Sequence, residues 1–365
     1  MKLALTPTPS AAFAPALAAT PPVAGDTGKR RGDGLRRFYR RTTGDPHLAR
    51  ARSMLRAHPE LKSLVGPSSI TLFLTIGVVA AQLGLAMLAG RLGIGWALVL
   101  AYAVGAWGSH VAWVLIHEAT HGLVSRRRWV NHVTGLLANV PLLIPSYLSF
   151  RRFHLLHHRH QGDYRLDADL PSVAEARALG RGPFGKALWL LAYPICQVTR
   201  LSRFASLGVV DRNAVLNILY TLAVDAVLVV VLPWQGVAYL AASLFFSVGL
   251  HPLGARWIQE HYVLKHPQET YSCYSKANAL QLNVGCHVEH HDLPFVAWNR
   301  LNRVRAIAPE YFRDLHAHTS WTRLLFHFLF TRDVTLFSRV VGPRRVGVPS
   351  PALTEPAPAD ATPGR

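Results

Sequence analysis

The sequence predicts an all-α integral membrane protein, with four transmembrane helices in two hairpins and a cytoplasmic helical cap that carries three groups of histidines. Half of the 365 residues are hydrophobic and only 16% are charged, a balance that is unusual for a soluble domain. The apolar residues collect into four stretches of roughly 20 residues, long enough to cross a bilayer. The spacing of the histidines predicts the helical cap.

The four apolar stretches pair into hairpins. Only Arg91 separates the first two, and Pro233 and Trp234 form a turn between the last two. Connections this short favour antiparallel neighbouring helices. The stretches are 70–90, 92–116, 214–232 and 236–253.

The basic residues predict how the chain is oriented. Lys and Arg total 39 against 20 Asp and Glu, a formal net charge of +19, and the excess lies outside the apolar stretches. The positive-inside rule then places both termini and the long central segment in the cytoplasm, so we expect a multi-pass protein with a cytoplasmic functional face. Nucleic-acid binding is another role of very basic chains. Membrane topology already explains these charges, so we expect no nucleic-acid partner.

Composition and the apolar stretches divide the chain into seven segments. The Ala- and Pro-rich ends lack periodicity and are predicted to be disordered. A helix over 46–57 would begin with Asp45 as cap and Pro46 at its first position. The short apolar runs 135–148 and 184–197 are predicted to re-enter the membrane or lie along it. In order, the segments are a disordered basic leader (1–35), a cytoplasmic membrane-surface segment (36–68), hairpin 1 (69–116), a cytoplasmic region with histidine groups 1 and 2 (117–212), hairpin 2 (213–256), a cytoplasmic region with group 3 (257–343) and a disordered tail (344–365).

Eight histidines recur at helical spacing. The groups are His117 and His121, then His154, His157 and His158, then His287, His290 and His291. Offsets of three and four place the members of each group on one face of a helix. Facing imidazoles predict a metal site, and because one zinc needs only three or four protein ligands, they favour more than one ion. Imidazole binds iron, zinc, copper and nickel, so spacing leaves the metal open.

The first group also matches the H-E-x-x-H pattern of zinc proteases, with Glu118 as the general base between His117 and His121. That hypothesis leaves six clustered histidines without a role. Glu289 and Asp292 stand beside the third group, where carboxylates can receive the outer ring N–H of metal-bound imidazoles. A histidine-dominated site with two metals is therefore the better interpretation.

Longer motifs surround the histidines. They are Asp45-Pro-His47, Pro59-Glu-Leu-Lys-Ser63, Asp167-Ala-Asp-Leu-Pro171, Gly249-Leu-His-Pro252, Glu260-His-Tyr262, Glu269-Thr-Tyr-Ser272, Asn283-Val-Gly285 and His287-Val-Glu-His-His-Asp-Leu-Pro294. With the H-x3-H, H-x2-H-H and H-x2-H-H groups, the chain over 36–341 resembles the integral-membrane fatty acid desaturase and hydroxylase superfamily. Within it, the motifs are most similar to those of the sphingolipid delta-4 desaturases.

The resemblance implies an oxidoreductase with two iron ions and O2 as co-substrate. It would introduce a trans double bond between C4 and C5 of the sphingoid chain of dihydroceramide. An external donor of cytochrome b5 or ferredoxin type would supply electrons. The Ala- and Arg-rich composition hints at a bacterial source, hence the inner membrane; a eukaryotic source would place the protein in the endoplasmic reticulum.

By the family pattern, the iron ligands are the eight grouped histidines and a ninth, His261, in the Glu260-His-Tyr262 motif. The residues expected to orient them from outside are Glu118, Glu289, Asp292 and His251. No catalytic residue beyond the ligands is expected.

Other activities fit the same sequence. Hydroxylation of a sphingolipid at C4 or of a fatty acyl chain, or desaturation of a fatty acyl chain, would use the same iron site. Sequence does not separate these activities, because the outcome depends on fine placement of the substrate. The outside alternative is a membrane zinc protease built on His117, Glu118 and His121.

Overall fold

The computed structural model describes residues 17–18, 34–41, 46–207 and 209–342. Most of the predicted leader and the whole predicted tail lie outside these residues. Within them the chain is largely helical, and four helices are long and apolar enough to cross a membrane, which confirms the predicted fold class.

The first helix, α1 (Pro46–Ala57), has the predicted bounds. Pro46 suits a first helical position because its fixed φ is already helical and its missing N–H has no partner there. A 310 helix (Pro59–Leu64) follows. Met54 and Leu61 are buried against C-terminal residues of the chain, so protein covers the apolar face of this segment. Contact of its arginines with lipid headgroups stays a prediction.

The first hairpin consists of two spans. The first is α2 (Ile70–Ala89), and the second runs through α3 (Ile94–Leu100), a π-helical turn (Ala101–Gly105) and α4 (Ala106–Thr120). The helix continues beyond the predicted end at 116. The first histidine group therefore lies on the last turn of a span and at its C-cap.

A sharp bend follows. Helices α5 (Arg128–Asn139) and α6 (Tyr147–His160) meet at 113°, with a 310 turn (Val140–Leu142) between them. Asn139 holds the bend: its Oδ1 accepts from the backbone N of Ser146 (3.0 Å) and Tyr147 (2.9 Å), and its Nδ2 donates to Ile144 O (2.7 Å). This geometry fits the predicted re-entrant or interfacial run, and it returns the second histidine group toward α4.

Three short helices lead to the second hairpin. They are α7 (Val173–Leu179), α8 (Gly182–Leu191) and α9 (Tyr193–Arg200), followed by a 310 helix (Leu201–Leu207). Arg200 joins them, because its guanidinium donates to the buried Glu175 carboxylate (2.6 and 3.0 Å), which also accepts from Trp189 Nε1.

The second hairpin consists of α10 (Arg212–Val231) and α11 (Trp234–Val248). The predicted end at 253 is too late, because the α-helix breaks before Pro252. Proline disfavours helical backbone in the preceding residue, and His251 is extended. A 310 turn (Pro252–Ala255) then leads into α12 (Arg256–His261).

Buried polar groups tie the spans together. Gln82 Nε2 donates to Gly105 O (3.1 Å) and Ser109 Oγ (2.9 Å), and its Oε1 accepts from Tyr239 OH (2.9 Å). A Cβ atom at Gly105 would collide with Ser243, so glycine permits this close approach.

The C-terminal region folds over the cytoplasmic ends predicted for the spans. Its helices are α13 (Lys276–Leu280), α14 (His287–Asp292), α15 (Leu301–Ile307) and α16 (Trp321–Phe330), with 310 turns at Trp298–Arg300 and Pro309–Tyr311. The apolar residues of α1 pack against α14 and α15 through Val288 and Val304. Helix α1 therefore packs beside the third histidine group, which lies on α14.

A small sheet of three short strands accompanies the helices. Strand β2 (Tyr39–Arg41), preceded by a 310 turn (Gly34–Arg37), pairs antiparallel with β1 (Leu17–Ala18) and parallel with β3 (Val340–Val341). Leu17 and Ala18 belong to the predicted leader, and their backbone pairs with β2. The other leader residues before 34 lie outside the described part of the chain.

Candidate metal centre

Four helices deliver nine histidines to one place. They come from the end of α4, from α6, from α12 and from α14, segments far apart in the sequence. The helical offsets predicted for each group hold. The tertiary structure then sorts the nine histidines into two clusters.

The larger cluster contains His117, His121, His154, His158 and His290, whose ligand nitrogens all lie within 4.8 Å of one another. Neighbouring Nε2 atoms are close: His117 to His290 is 3.0 Å, and His154 to His121 is 3.0 Å. His158 Nε2 lies 3.1 Å from the Nε2 atoms of both His154 and His290. We call this the five-histidine cluster.

The smaller cluster contains His157, His261 and His291. His261 Nε2 lies 3.1 Å from His157 Nε2 and 3.1 Å from His287 Nε2, so His287 joins its edge. We call these four residues the four-histidine cluster. The rings of His158 and His291 stack at 4.3 Å and join the two clusters.

The ring nitrogens of the two clusters are placed to bind metal ions, and they cannot all be satisfied by hydrogen bonds to one another. Burial lowers the pKa of His287, His290 and His291 well below its usual value, so these imidazoles are neutral. A neutral imidazole has one N–H and one lone pair, and His158 Nε2 cannot satisfy two neighbouring Nε2 atoms at once. A cation between the rings would use all the lone pairs, as in nitrogen-ligated metal sites.

An aspartate outside the predicted set holds one ring. His157 Nδ1 donates to Asp167 Oδ1 (2.9 Å), and Asp167 also accepts from the backbone N of Gly162 and Asp169. Burial opposes ionisation of Asp167, but His157, Arg339 and the backbone N–H of Gly162 together lower its pKa. The carboxylate thus keeps the His157 N–H outward and its Nε2 toward the cluster. The motif Asp167-Ala-Asp-Leu-Pro171 was the sequence signal for it.

A second outer contact comes from α1. Arg50 Nε and His47 Nδ1 both donate to Asp292, at 2.6 and 2.7 Å. Because a carboxylate only accepts, His47 accepts at Nε2 from the Thr270 hydroxyl (2.9 Å). Thr270 Oγ1 in turn lies 3.3 Å from His261 Nδ1 and accepts its N–H, which leaves the His261 Nε2 lone pair facing the cluster. The motif Asp45-Pro-His47 contains His47, but its spacing does not indicate these contacts.

The predicted orienting residues behave differently from one another. Glu118 Oε1 lies 3.7 Å from His117 Nδ1, and Glu118 Oε2 accepts from Trp298 N, so its role in orienting His117 stays a prediction. Within the described residues, the Asp292 side chain contacts no ligand directly; it accepts from His47, which is linked to His261 through Thr270. In the same part of the chain, Glu289 does not contact a ligand imidazole, contrary to the prediction. Its carboxylate accepts from Ser272 Oγ (2.6 Å) and Tyr274 OH (2.7 Å), because its position on α14 turns it away from the face that carries the ligands.

His251 is also placed differently from the prediction. Its Nδ1 accepts from Leu253 N (3.1 Å) and its ring contacts Tyr102 at 4.6 Å. The histidine therefore caps the 310 turn that follows α11. Among the residues that the structure describes, it has no hydrogen bond, ion pair or ring contact with either histidine cluster.

A cavity of about 770 Å³ opens beside the two clusters. Histidines form one wall, and mostly apolar residues line the rest. The histidines of that wall are His117, His154, His157, His287 and His290, and the apolar lining includes Trp113, Ile144, Phe153, Ile195, Ile218 and Leu244. An apolar cavity of this size can bury a lipid chain next to the candidate metal ligands.

The chain matches known families over most of its length. The fatty acid desaturase family model covers residues 94–323, and the model for sphingolipid Delta4-desaturase covers residues 35–69. The second match contains α1 and His47.

Relatives of known name belong to the same family as the matching family models. The sphingolipid delta(4)-desaturase DES1-like of Oryza sativa subsp. japonica is 34% identical over 317 residues, which are 87% of this chain and 96% of the relative. The sphingolipid delta(4)-desaturase DES1 of Drosophila melanogaster is 34% identical over 82% of this chain and 93% of its own length. The sphingolipid delta(4)-desaturase/C4-monooxygenase DES2 of Homo sapiens is 34% identical over 82% and 92%, respectively. With its membrane helices and its two clusters of converging histidines, this chain belongs to the fatty acid desaturase family and, within it, to the sphingolipid delta(4)-desaturases.

Proposed function

We propose that the protein is an O2-dependent di-iron desaturase that introduces a trans double bond between C4 and C5 of the sphingoid chain of dihydroceramide. The observation that carries the proposal is the pair of histidine clusters at the wall of a largely apolar cavity. The names of the relatives supply the lipid class. The H-E-x-x-H protease hypothesis does not fit, because Glu118 accepts from the backbone N of Trp298 and three further histidines share one cluster with His117 and His121.

The proposed ligands are the members of the two clusters. His117, His121, His154, His158 and His290 would hold one iron, and His157, His261, His287 and His291 the other. Bound iron would supply the activation of O2 and the oxidising power that side chains lack. The chain itself orients the ligands through Asp167 and Thr270. Its cavity keeps water from the lipid chain and holds C4 and C5 beside the histidines.

Two electrons per turnover must come from outside the protein. We propose a donor of cytochrome b5 or ferredoxin type that docks on the cytoplasmic side. The support is the net charge of +19, which would attract an acidic carrier. The same charges support the cytoplasmic placement of both termini and of the site.

Hydroxylation at C4 is a second candidate activity. Its specific support is the name of the Homo sapiens relative, which includes C4-monooxygenase. Loss of one hydrogen from each of C4 and C5 gives the alkene, whereas gain of oxygen at C4 gives the alcohol. The two products differ in mass.

The test is isotopic. Cells that express the chain are fed dihydroceramide deuterated at C4 and C5, and their sphingolipids are analysed by mass spectrometry, with His290→Ala as the control. Loss of one deuterium from each carbon, absent in the variant, is the expected result. Oxygen at C4 would move the assignment to hydroxylation. Absence of both products with an active donor present would contradict the proposed substrate.

A further inference from the structure

The cavity has a charged pair beside the histidines. Arg256 Nη1 lies 2.7 Å from Glu260 Oε1, one turn apart on α12. Both side chains line the cavity, and the residues are only 8% and 7% exposed. They lie on α12, at the end of the fourth candidate membrane span (Trp234–His261), which the 310 turn after α11 interrupts. Ionisable groups in such a span are costly and usually have a functional partner.

The pair lies against the candidate metal ligands. Glu260 Oε1 is 3.8 Å from His287 Nδ1, and Glu260 immediately precedes His261. The Arg256 guanidinium lies 4.4 Å above the ring of Trp257, which stacks on Tyr193 at 4.8 Å. Packing on these rings fixes the plane of the guanidinium.

Arg256 has a donor without an acceptor. Its Nε atom is buried and has no hydrogen-bond partner in the described part of the protein. A buried N–H without an acceptor is destabilising. Since the same side chain lines the cavity, an oxygen atom of a bound molecule would satisfy it.

We propose that Arg256 and Glu260 form a subsite for the hydroxyl group on C3 of the sphingoid chain, and that this contact places C4 and C5 at the histidines. The inference rests on the proposed function. C3 is bonded directly to C4, so a lipid that reacts at C4 brings an uncharged polar group close to the metal centre. Arg256 Nε donates to the hydroxyl oxygen, and the Glu260 carboxylate accepts the hydroxyl hydrogen.

The chemistry of the pair suits this ligand. Arginine and glutamate are neutral together, which favours an alcohol over a phosphate or a carboxylate. A fatty acyl chain that reacts in mid-chain would bring only methylene groups there, and an apolar wall would serve it better. The subsite therefore discriminates between a sphingoid chain and an ordinary acyl chain.

The experiment compares two lipids and two proteins. Full-length enzyme with its electron donor is assayed with dihydroceramide and with an analogue that lacks only the C3 hydroxyl. We expect wild-type kcat/KM to favour dihydroceramide by about 10- to 100-fold, because the analogue leaves the buried Arg256 Nε–H without an acceptor. Arg256→Lys keeps a positive charge opposite Glu260 but has no Nε–H, so the preference should fall below about threefold. Competition between the two lipids for purified protein should show the same loss without turnover.

Arg200→Lys is the matched control. Arg200 is a buried arginine paired with Glu175 at 2.6 Å, but it does not line the cavity. This variant should melt at a lower temperature and keep the wild-type preference.

The possible outcomes distinguish failure of the Arg256–Glu260 subsite from failure of the proposed function. An unchanged preference in Arg256→Lys, or no preference in the wild type while dihydroceramide is still desaturated, overturns the subsite alone. Desaturation of a fatty acyl lipid without any conversion of dihydroceramide overturns the proposed function itself.

Discussion

At the residue scale, the contacts outside the histidine clusters decide which nitrogen each imidazole offers. Asp167 holds the N–H of His157 outward, and Thr270 does so for His261. A ring in the wrong tautomer would present an N–H instead of a lone pair to the metal. Partners of this kind commonly change metal affinity by about 10- to 100-fold.

His47 is the most informative of these partners, because it lies more than two hundred residues from the ligand that it supports. We expect His47→Ala to lower iron affinity by about 10-fold, since Thr270 loses its acceptor and His261 loses its fixed orientation. Iron retained per chain during dialysis against a competing chelator measures this effect.

His58→Ala is the control for His47. His58 follows α1 and pairs with the exposed Glu310 at 2.5 Å, away from the clusters. It should retain iron as the wild type does. Equal iron retention in both variants would show that His47 only packs α1 against α14.

At the element scale, the bend between α5 and α6 brings the second histidine group to the first. Without it, α6 would continue away from α4. The bend depends on Asn139, which is 1% exposed and whose side chain reaches across the turn to the backbone of Ile144 and Tyr147. Its side chain replaces backbone hydrogen bonds that Pro141 and Pro145, between α5 and α6, cannot make.

Asn139→Ala should therefore destabilise the fold by about 2–4 kcal/mol, because several buried backbone groups lose their partners together. Thermal unfolding in detergent would show it as a lower Tm, and iron content should fall with it. The exposed Asn299 is a matched control, and Asn299→Ala should stay within about 0.5 kcal/mol of wild type. Stability equal to wild type for Asn139→Ala would mean that the prolines alone set the bend.

At the scale of the whole molecule, metal binding would join α4, α6, α12 and α14. Binding that occurs only in the folded state stabilises it, by about 2.7 kcal/mol when free metal is 100 times its Kd. We expect removal of iron by a chelator to lower Tm by several degrees, and added ferrous iron to restore it.

His290→Ala provides the control for that measurement. His290 contacts both His117 and His158 in the five-histidine cluster. Its loss should lower Tm before any chelator is added and reduce the further shift that the chelator causes. A chelator shift that is the same in variant and wild type would assign the stabilisation to a metal elsewhere.

Local patterns in the sequence were enough to predict the helices and the histidine groups. The bounds of α1 and the four spans follow from proline placement and from apolar length, which act over a few residues. The positions of the grouped histidines on helix faces follow from the 3.6-residue period. Span ends were less accurate where Pro252 interrupts α11 and where the helix runs on through His117.

Only the tertiary structure decided how these parts meet. His157 and His158 are neighbours in sequence yet enter different clusters, because adjacent residues on a helix point about 100° apart and α14 packs across both. His47 and Thr270 gain their roles from contacts between segments far apart in the chain, and Arg256 gains its proposed role from the cavity that it lines. Glu289 and His251 lost their predicted roles for the same reason. Spacing determines which face of a helix a side chain occupies, and packing between helices determines what that face meets.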